Sequence, residues 1–518
     1  MSAVGSNNSA RAGGPHNLAR LAEEAFERRG DYTSLLFEGR WHRSAELFER
    51  AQRLAGGLAE FGVAAGDRVV VTMANSPEVG IVYNALWRLG AVVTPATFLL
   101  SPAELRHVIA DAEARLVLTT SELRPKVDEA VAALEQVRVI EMPAGELEQA
   151  QPLPIARRAD HELAALLYTG GTTGRAKGVM LSHSNLYFAG RAAHEAAYVE
   201  GINRSLATLP LSHSYGLLTT IAALHSPERG IAVLLRWFDP TAFLELIAEH
   251  RLQVSAVVPS MLQILLSQPL EEYDLSSLRY LTSGGAPLAP EVEAEFRRRV
   301  PTVSIRQGYG LTETAALVAT NPPGRERPGS VGLPVRGTSV RIEDPDGHEL
   351  PPREVGEICC SSPGVMQGYW RSPDATAEAI RDGWLHTGDL GYLDEDGYLF
   401  IVDRKKDLII RGGFNVYPRD VEDALLQHPA IEVAGVVGRP DQARGEEVVA
   451  FVSLRAGAQV STGQLIDWAR QQIGGYKYPR ELHIVESVPL TPVGKVDRKA
   501  LRALLSSDPA LTAEGLQP

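Results

Sequence analysis

The chain has 518 residues, 44% apolar and 22% charged, with 47 glycines and 33 prolines, which excludes a fibrous or wholly disordered polymer and predicts at least two domains. A net charge of −13 argues against nucleic acid as a main partner, and an acidic protein that binds an anion must gather its cations locally. No apolar stretch approaches membrane-spanning length, and no basic region followed by an apolar block opens the chain.

Residues 1–16 are rich in Ser, Asn, Ala and Gly and read as a mobile tail. Leu47, Ala51, Leu54, Leu58 and Phe61 recur at helical spacing, with Gly62 closing the helix. An apolar strand at 68–72 and a helix opened by Ser76-Pro77 follow. Next come a strand at 91–94, a helix capped by Ser101 and a strand at 115–119. Strand–helix alternation of this kind predicts an α/β domain with a mostly parallel sheet and flanking helices. It resumes at 206–209, 238–250, 254–258 and 280–283.

From about residue 330 short alternating strands with turns at Asp346-Gly347 and Asp396-Gly397 predict a small antiparallel or barrel-like subdomain. Cys359 and Cys360 are adjacent in a strand, so they point to opposite faces and do not bridge. Two thiols with no nearby histidine pair do not make a zinc cage, and a reducing, cytoplasmic setting follows. The segment Asp403-Arg404-Lys405-Lys406-Asp407 interrupts two apolar runs and reads either as a domain boundary or as a solvated surface turn. A compact α+β domain over 408–505 and a tail at 506–518 complete the chain.

The strongest local signal is Tyr168-Thr169-Gly170-Gly171-Thr172-Thr173-Gly174-Arg175-Ala176-Lys177-Gly178, preceded by an apolar strand at 163–167. Its glycines free the backbone to turn N–H groups inward as an anion nest. The threonine hydroxyls add donors, and Lys177 adds a mobile charge suited to phosphate. It is not a P-loop, because Gly178 follows Lys177 where Ser or Thr would stand. A flexible surface loop is the bland alternative.

This segment resembles the phosphate loop of the adenylate-forming superfamily, which includes acyl- and aryl-CoA ligases, peptide-synthetase adenylation domains and luciferases. It departs at Gly170, where a serine is usual, and at Ala176, where a proline is usual. The other signatures follow in order over residues 40–500. Ser283-Gly284-Gly285-Ala286-Pro287 and Gln307-Gly308-Tyr309-Gly310-Leu311-Thr312-Glu313 resemble the adenine and α-phosphate segments. There Tyr309 offers a flat face to a purine, Thr312 a donor, and Glu313 an oxygen ligand for magnesium. Trp384-Leu385-His386-Thr387-Gly388-Asp389 resembles the segment whose aspartate accepts from the ribose hydroxyls, and Arg404 matches the arginine that reaches them too. Lys406 falls at the hinge position. Lys495, in Pro492-Val493-Gly494-Lys495, matches the catalytic lysine of a small, mobile C-terminal domain.

The resemblance implies an enzyme that uses ATP and Mg2+ to convert a carboxylic acid to an acyl adenylate, with Thr172, Lys177, Thr312, His213 and Lys495 as catalytic groups. It implies transfer to CoA past Gly412 and Gly413 in Arg411-Gly412-Gly413-Phe414-Asn415, although Ile410 stands where some relatives carry a lysine. Transfer to an amine or amino acid is the alternative, and a luciferase-like oxidation or a non-catalytic binder are further readings. The set Lys177, Glu313, Asp389, Arg404 and Lys495 argues against the last. His213 resembles the residue at the acid carboxylate or the acceptor tunnel, and is otherwise a structural histidine. Tyr215, Thr219, Thr282, Gly285 and Gly308 would wall a roomy, mostly apolar pocket with no arginine for a second carboxylate. That favours a medium-chain, cyclic or aromatic acid. A homodimer is compatible with all of this.

Overall fold

The structure, a computed structural model, describes residues 14–169, 176–441, 444–473, 475–491 and 495–507. By contacts the chain separates into two compact units. The first takes in residues up to Leu288, Ala294–Ser339 and Cys360–Leu385; the second is made of Ala289–Glu293, Val340–Cys359 and His386 onward.

The first unit holds two large sheets. In the seven-stranded sheet the order is Gly368–Tyr369, Lys177–Ser182, Leu163–Thr169, Val92–Pro95, Arg68–Thr72, Leu116–Thr120 and Arg138–Met142. Its inner pairs are parallel, and the strand Arg68–Thr72 is buried along nearly its whole length, as a parallel strand covered by helices on both faces must be. The nine-stranded sheet has the parallel run Ser304–Tyr309, Tyr280–Ser283, Val254–Val257, Arg204–Ala207, Ile231–Leu234 and Thr33–Phe37, with antiparallel strands at both edges.

Local chemistry fixes the helix ends. Pro77 opens the helix Pro77–Leu89 and Gly90 closes it at φ 84°, the left-handed cap that glycine adopts without strain. Ser101 and Glu104 form a reciprocal capping box at the head of Pro102–Asp111. Several elements sit a little off their sequence positions. The helix read from Leu47 already begins at Ser44, the strand expected at 206–209 is Arg204–Ala207, and the helix expected from 238 starts at Pro240 behind an Asp239 cap. Gly14 and His16, read as tail, are held by Arg158 and Asp160.

A separate five-stranded sheet runs Ser339–Glu343, Gly356–Ser361, Trp384–Leu393, Ile380–Arg381, with Leu399–Arg404 also paired to Trp384–Leu393. The last sheet lies wholly in the second unit. It is built on the long antiparallel pair Ile431–Asp441 and Gly445–Leu454, with Glu481–Ile484 added in parallel. Val436, Val448, Ala450 and Val452 pack with Leu425 from the helix Pro418–Leu426 and with Leu465 from Thr462–Gln472. Val437, Val449 and Phe451 face Leu501 and Leu505 on the opposite side.

The charged segment at 403–407 is a turn whose three cations face solvent and whose two aspartates do not. Asp403 and Asp407 are buried. Asp403 accepts from the Arg404 and Arg419 amides at 2.7 and 2.9 Å, and Asp407 accepts from Arg502 at 2.8 Å. Arg404, Lys405 and Lys406 are exposed between them. Nearby, Arg498 donates to both oxygens of buried Glu422 at 2.8 and 2.7 Å.

Breaking a buried pair strands one charge, which costs about 3–5 kcal/mol. Arg498→Ala is therefore expected to destabilise the second unit by about that amount in urea unfolding, and Arg498→Lys by less, because a cation remains.

Candidate active site

The glycine- and threonine-rich loop joins two antiparallel strands, not a strand to a helix. Leu163–Thr169 and Lys177–Ser182 pair with Thr169 opposite Lys177 and Tyr168 opposite Gly178, so the loop's two ends are tied across one hairpin. Gly170, Gly171, Thr172, Thr173, Gly174 and Arg175 lie outside the described residues. At the loop's base the His107 ring approaches the Ala176 carbonyl at 2.9 Å, and Tyr168 donates to Asp111 at 2.7 Å.

Lys177 lies with its ammonium 5.1 Å from the centre of the Tyr369 ring, a distance at which the ring face attracts a cation. Tyr369 in turn donates to Glu313 Oε1 at 2.8 Å, so Lys177, Tyr369 and Glu313 form one chain of contacts. Among the described residues Glu313 Oε2 has no hydrogen-bond partner, leaving a hard oxygen donor of the kind magnesium prefers. Tyr369 was not singled out in the sequence. Its signal is weak there, because it comes from a two-residue edge strand, Gly368–Tyr369, far along the chain.

Glu313 sits in a tight turn, Thr312–Thr314, followed by Ala315 and Ala316 at φ 50° and 74°. Two successive non-glycine residues in the left-handed region are strained. Gly310 makes the turn fit, since a Cβ there would lie 2.2 Å from the Ala316 carbonyl oxygen. The turn itself therefore requires a residue without a side chain at Gly310. Thr312 Oγ1 is 3.3 Å from Ser214 Oγ. Gln307 is buried, and Tyr309 is half-buried and accepts the Val318 amide at 2.7 Å.

His213 caps the helix Ser214–His225, its Nδ1 accepting from the Tyr215 amide at 3.3 Å, which leaves the neutral ring's proton on Nε2. Tyr215 donates to Thr282 Oγ1 at 3.0 Å, and burial pushes its hydroxyl up to about 12. Thr219 Oγ1 donates back to the Gly216 carbonyl at 2.8 Å. A Cβ on Gly284 would come 3.3 Å from the Gly308 carbonyl and 3.4 Å from the Tyr215 ring, so this glycine joins Tyr215 and Gly308 into one wall. Gly285, Ala286 and Pro287 continue from it, Gly285 at φ 83° and exposed.

The second unit gathers a different set. Asp389 and Arg404 are directly opposed on paired strands, with Arg404 Nε 3.1 Å from Asp389 Oδ1. Asp389 is buried, 5% exposed, and its amide donates to Thr387 Oγ1 at 3.1 Å. Lys495 is placed by its own backbone, which exchanges hydrogen bonds with Thr491 at 2.6 and 3.1 Å. Burial pulls its ammonium down to about 8, Arg404 lowers it further, and Asp389 opposes both. Asp389, Arg404 and Lys495 therefore share one electrostatic neighbourhood. Partial desolvation of its ammonium, although Lys406 as a whole is exposed, likewise lowers it from the usual lysine range, with Asp407 opposing. Gly412 and Gly413, at φ 58° and 82°, form the two-residue turn of the hairpin Ile409–Arg411/Phe414–Val416, where two positive φ values match the strand twist.

Residues 22–370 match the family model described as AMP-binding enzyme, and residues 420–495 match that of the AMP-binding enzyme C-terminal domain. A feruloyl-CoA synthase from Amycolatopsis sp is 38% identical over 94% of this chain and 97% of its own length. Among solved structures, ATP-bound MatB from Rhodopseudomonas palustris is 33% identical with a TM-score of 0.86, covering 94% of this chain and 99% of its own. The amide bond synthetase McbA from Marinactinospora thermotolerans is 31% identical with a TM-score of 0.85 over the same shares. The chain belongs to the AMP-binding enzyme family, and its α/β architecture is that of adenylate-forming enzymes.

Lys495 is expected to titrate near 8 when its methylated amine is followed by NMR. Arg404→Gln should raise that midpoint and Asp389→Asn lower it. A wild-type midpoint at the ordinary lysine value of 10.5 would contradict the desolvation.

Proposed function

We propose that this enzyme joins a medium-chain, cyclic or aromatic carboxylic acid to AMP, releasing pyrophosphate, and then passes the acyl group to the thiol of CoA. The observation that carries the reading is the convergence of Asp389, Arg404 and Lys495. A carboxylate can accept two hydrogen bonds from a ribose diol, and a desolvated ammonium beside it suits a developing phosphoryl charge.

The substrate acid is already ionised at neutral pH, so no general base is required. Its oxygen attacks the α-phosphorus of ATP while the bond to pyrophosphate breaks. Lys495, Thr172, Thr173, Lys177 and Thr312 hold the phosphoryl oxygens and the leaving group, and the backbone of Thr169, Gly170, Gly171 and Gly174 adds N–H donors. Gln307, Tyr309, Gly310, Ala286 and Pro287 take the adenine. Glu313, fixed by Tyr369, would hold the magnesium ion that neutralises charge on the phosphates. His213 meets the acid carboxylate. An acyl adenylate hydrolyses readily, so a prompt acceptor is needed. We assign the hinge to 403–407 around Lys406, and the acceptor step to the Gly412-Gly413 turn.

Support for the acid class comes from the wall of Tyr215, Thr219, Thr282, Gly285 and Gly308, and from the feruloyl-CoA synthase relative. The arginine in the adjoining strand is committed elsewhere: Arg306 stacks on Tyr280 at 3.8 Å and pairs with Glu326 at 3.3 Å. A second reading, transfer to an amine, is favoured by the likeness to an amide bond synthetase and by Ile410, exposed where a lysine stands in some relatives.

Lys495→Ala should slow adenylation about 10²–10³-fold while sparing thioester formation from supplied acyl adenylate; equal loss of both steps would refute the assignment. Because the ammonium is charged below about 8, kcat/KM for adenylation should fall as pH rises through that value, and Lys495→Arg should remove the fall. A pyrophosphate-release screen over acids, with CoA, an amine or neither, tests the whole reading. Aromatic or medium-chain acids with CoA should lead, and a preference for acetate or malonate would overturn the acid class.

A further inference from the structure

Three paired strands bring Glu343, Cys359 and His386 together, with Glu357 beside His386, and none of the four has been given a role above. Cys359 Sγ is 3.3 Å from His386 Nδ1. His386 Nδ1 is 3.5 Å from Glu357 Oε2 and 3.9 Å from Glu343 Oε2. The donor atoms of Glu343, Cys359 and His386 all lie within 4.8 Å of one another. Glu357 and Cys359 alternate on one strand, Gly356–Ser361, and so face the same side. Cys359 is fully buried, Glu343 is 4% exposed, and the His386 and Glu357 side chains are 9% and 11% exposed.

The geometry points to a binding site for a thiophilic divalent cation of the zinc class, with Cys359, His386, Glu343 and Glu357 as its ligands. Zinc bonds of about 2.3 Å to sulfur and about 2.0–2.2 Å to nitrogen and oxygen, at tetrahedral angles, demand ligand-to-ligand edges of about 3.3–3.6 Å. The distances to His386 Nδ1 are 3.3, 3.5 and 3.9 Å, so Cys359, His386 and Glu343 already gather near these edges, and Glu357 must swing toward them to complete the shell. One thiolate, one imidazole and two carboxylates suit zinc better than magnesium or calcium, which prefer oxygen alone.

Charge is balanced on the outside of the cluster. Glu343 contacts Arg341, and Glu357 accepts from Lys405 at 3.0 Å and from the Gly388 amide at 3.2 Å. With the ion bound, three anionic ligands exceed its charge by one, and Arg341 and Lys405 remain as outer cations. Without it, burial and the two carboxylates raise the Cys359 thiol far above its usual range, so the sulfur is protonated. Binding forms the metal–sulfur bond and releases that proton to solvent. The exposed turn Asp344, Asp346 and His348 also gathers acidic ligand atoms. Asp344 there accepts from the Asp346 and His348 amides of its own turn, and the turn has no thiol.

Titrating the purified full chain with Co2+ distinguishes the two places. Binding at the buried cluster gives an intense thiolate-to-cobalt charge-transfer band that saturates at about one ion per chain and is displaced by Zn2+. Zn2+ also raises Tm. Cys359→Ser should abolish the band and the Tm increment, Glu343→Gln should weaken Co2+ binding at least tenfold, and Cys360→Ser should leave both signals intact. Should Cys359→Ser fail to fold, His386→Gln carries the same test. No band in the wild type, a band surviving Cys359→Ser, or a Zn2+-dependent Tm rise that persists without the thiol would each overturn the site.

Discussion

Much of the second unit is organised by one guanidinium. Arg498 stands three residues beyond Lys495 and donates to both oxygens of Glu422. It also donates to the Val436 carbonyl at 3.2 Å and lies 3.6 Å from Asp407. The helix Pro418–Leu426, the strand Ile431–Asp441 and the segment at 403–407 are thereby tied to the chain that leads out of the lysine loop. Glu422 is buried enough that its carboxyl is pushed up to about 7, so the pair exists only because each partner compensates the other's desolvation. A planar, five-donor cation can serve three acceptors from one point, which a lysine cannot. The position of Lys495 near Arg404 and Asp389 is inherited from this anchor and from the Thr491 backbone bonds.

The first unit solves a similar problem with less buried charge. Glu313 is carried on a turn with two left-handed alanines, and such strain persists only where neighbours over-determine the backbone. Here Gly310 yields space to the Ala316 carbonyl, Thr314 bonds the Leu311 backbone at 3.0 and 2.9 Å, and the Met366 amide donates to the Glu313 carbonyl at 2.8 Å. Tyr369 then fixes the carboxylate itself. It does so by a hydrogen bond to one carboxylate oxygen, Oε1, alone.

The order of strands and helices was legible wherever periodicity and caps agreed. Ser76-Pro77 and Ser101 mark helix starts because a side chain or ring geometry acts locally. Contacts that span the sequence left no such mark. Tyr369 and Glu313 are 56 residues apart, and Cys359 and His386 are 27 apart, so a search for closely spaced ligands passed over both. The acidic and basic run at 403–407 is only half legible for a related reason. Composition cannot tell that its two aspartates are buried, since that depends on Arg419, Arg498 and Arg502 arriving from elsewhere. Lys495 carried no local signal beyond its loop of prolines and glycine, and only the ordered resemblance singled it out.

The hairpin at Gly412-Gly413 illustrates how exposure itself can be informative. Ile410 and Phe414 are 52% and 59% exposed, and Phe414 lies 5.0 Å from the ring of Tyr476, which is exposed as well. Single exposed apolar residues are ordinary, but Phe414 and Tyr476 are held ring to ring, while Ile410, opposite Asn415, lies on the other face of the hairpin. Fold stability does not account for the ring pair, because the hairpin is already secured by buried Arg411, which pairs with Glu447 at 2.5 and 3.0 Å, and by the Gly412 amide on the Arg444 carbonyl. A pair of rings exposed on a rigid turn is the kind of surface feature that marks an interaction site.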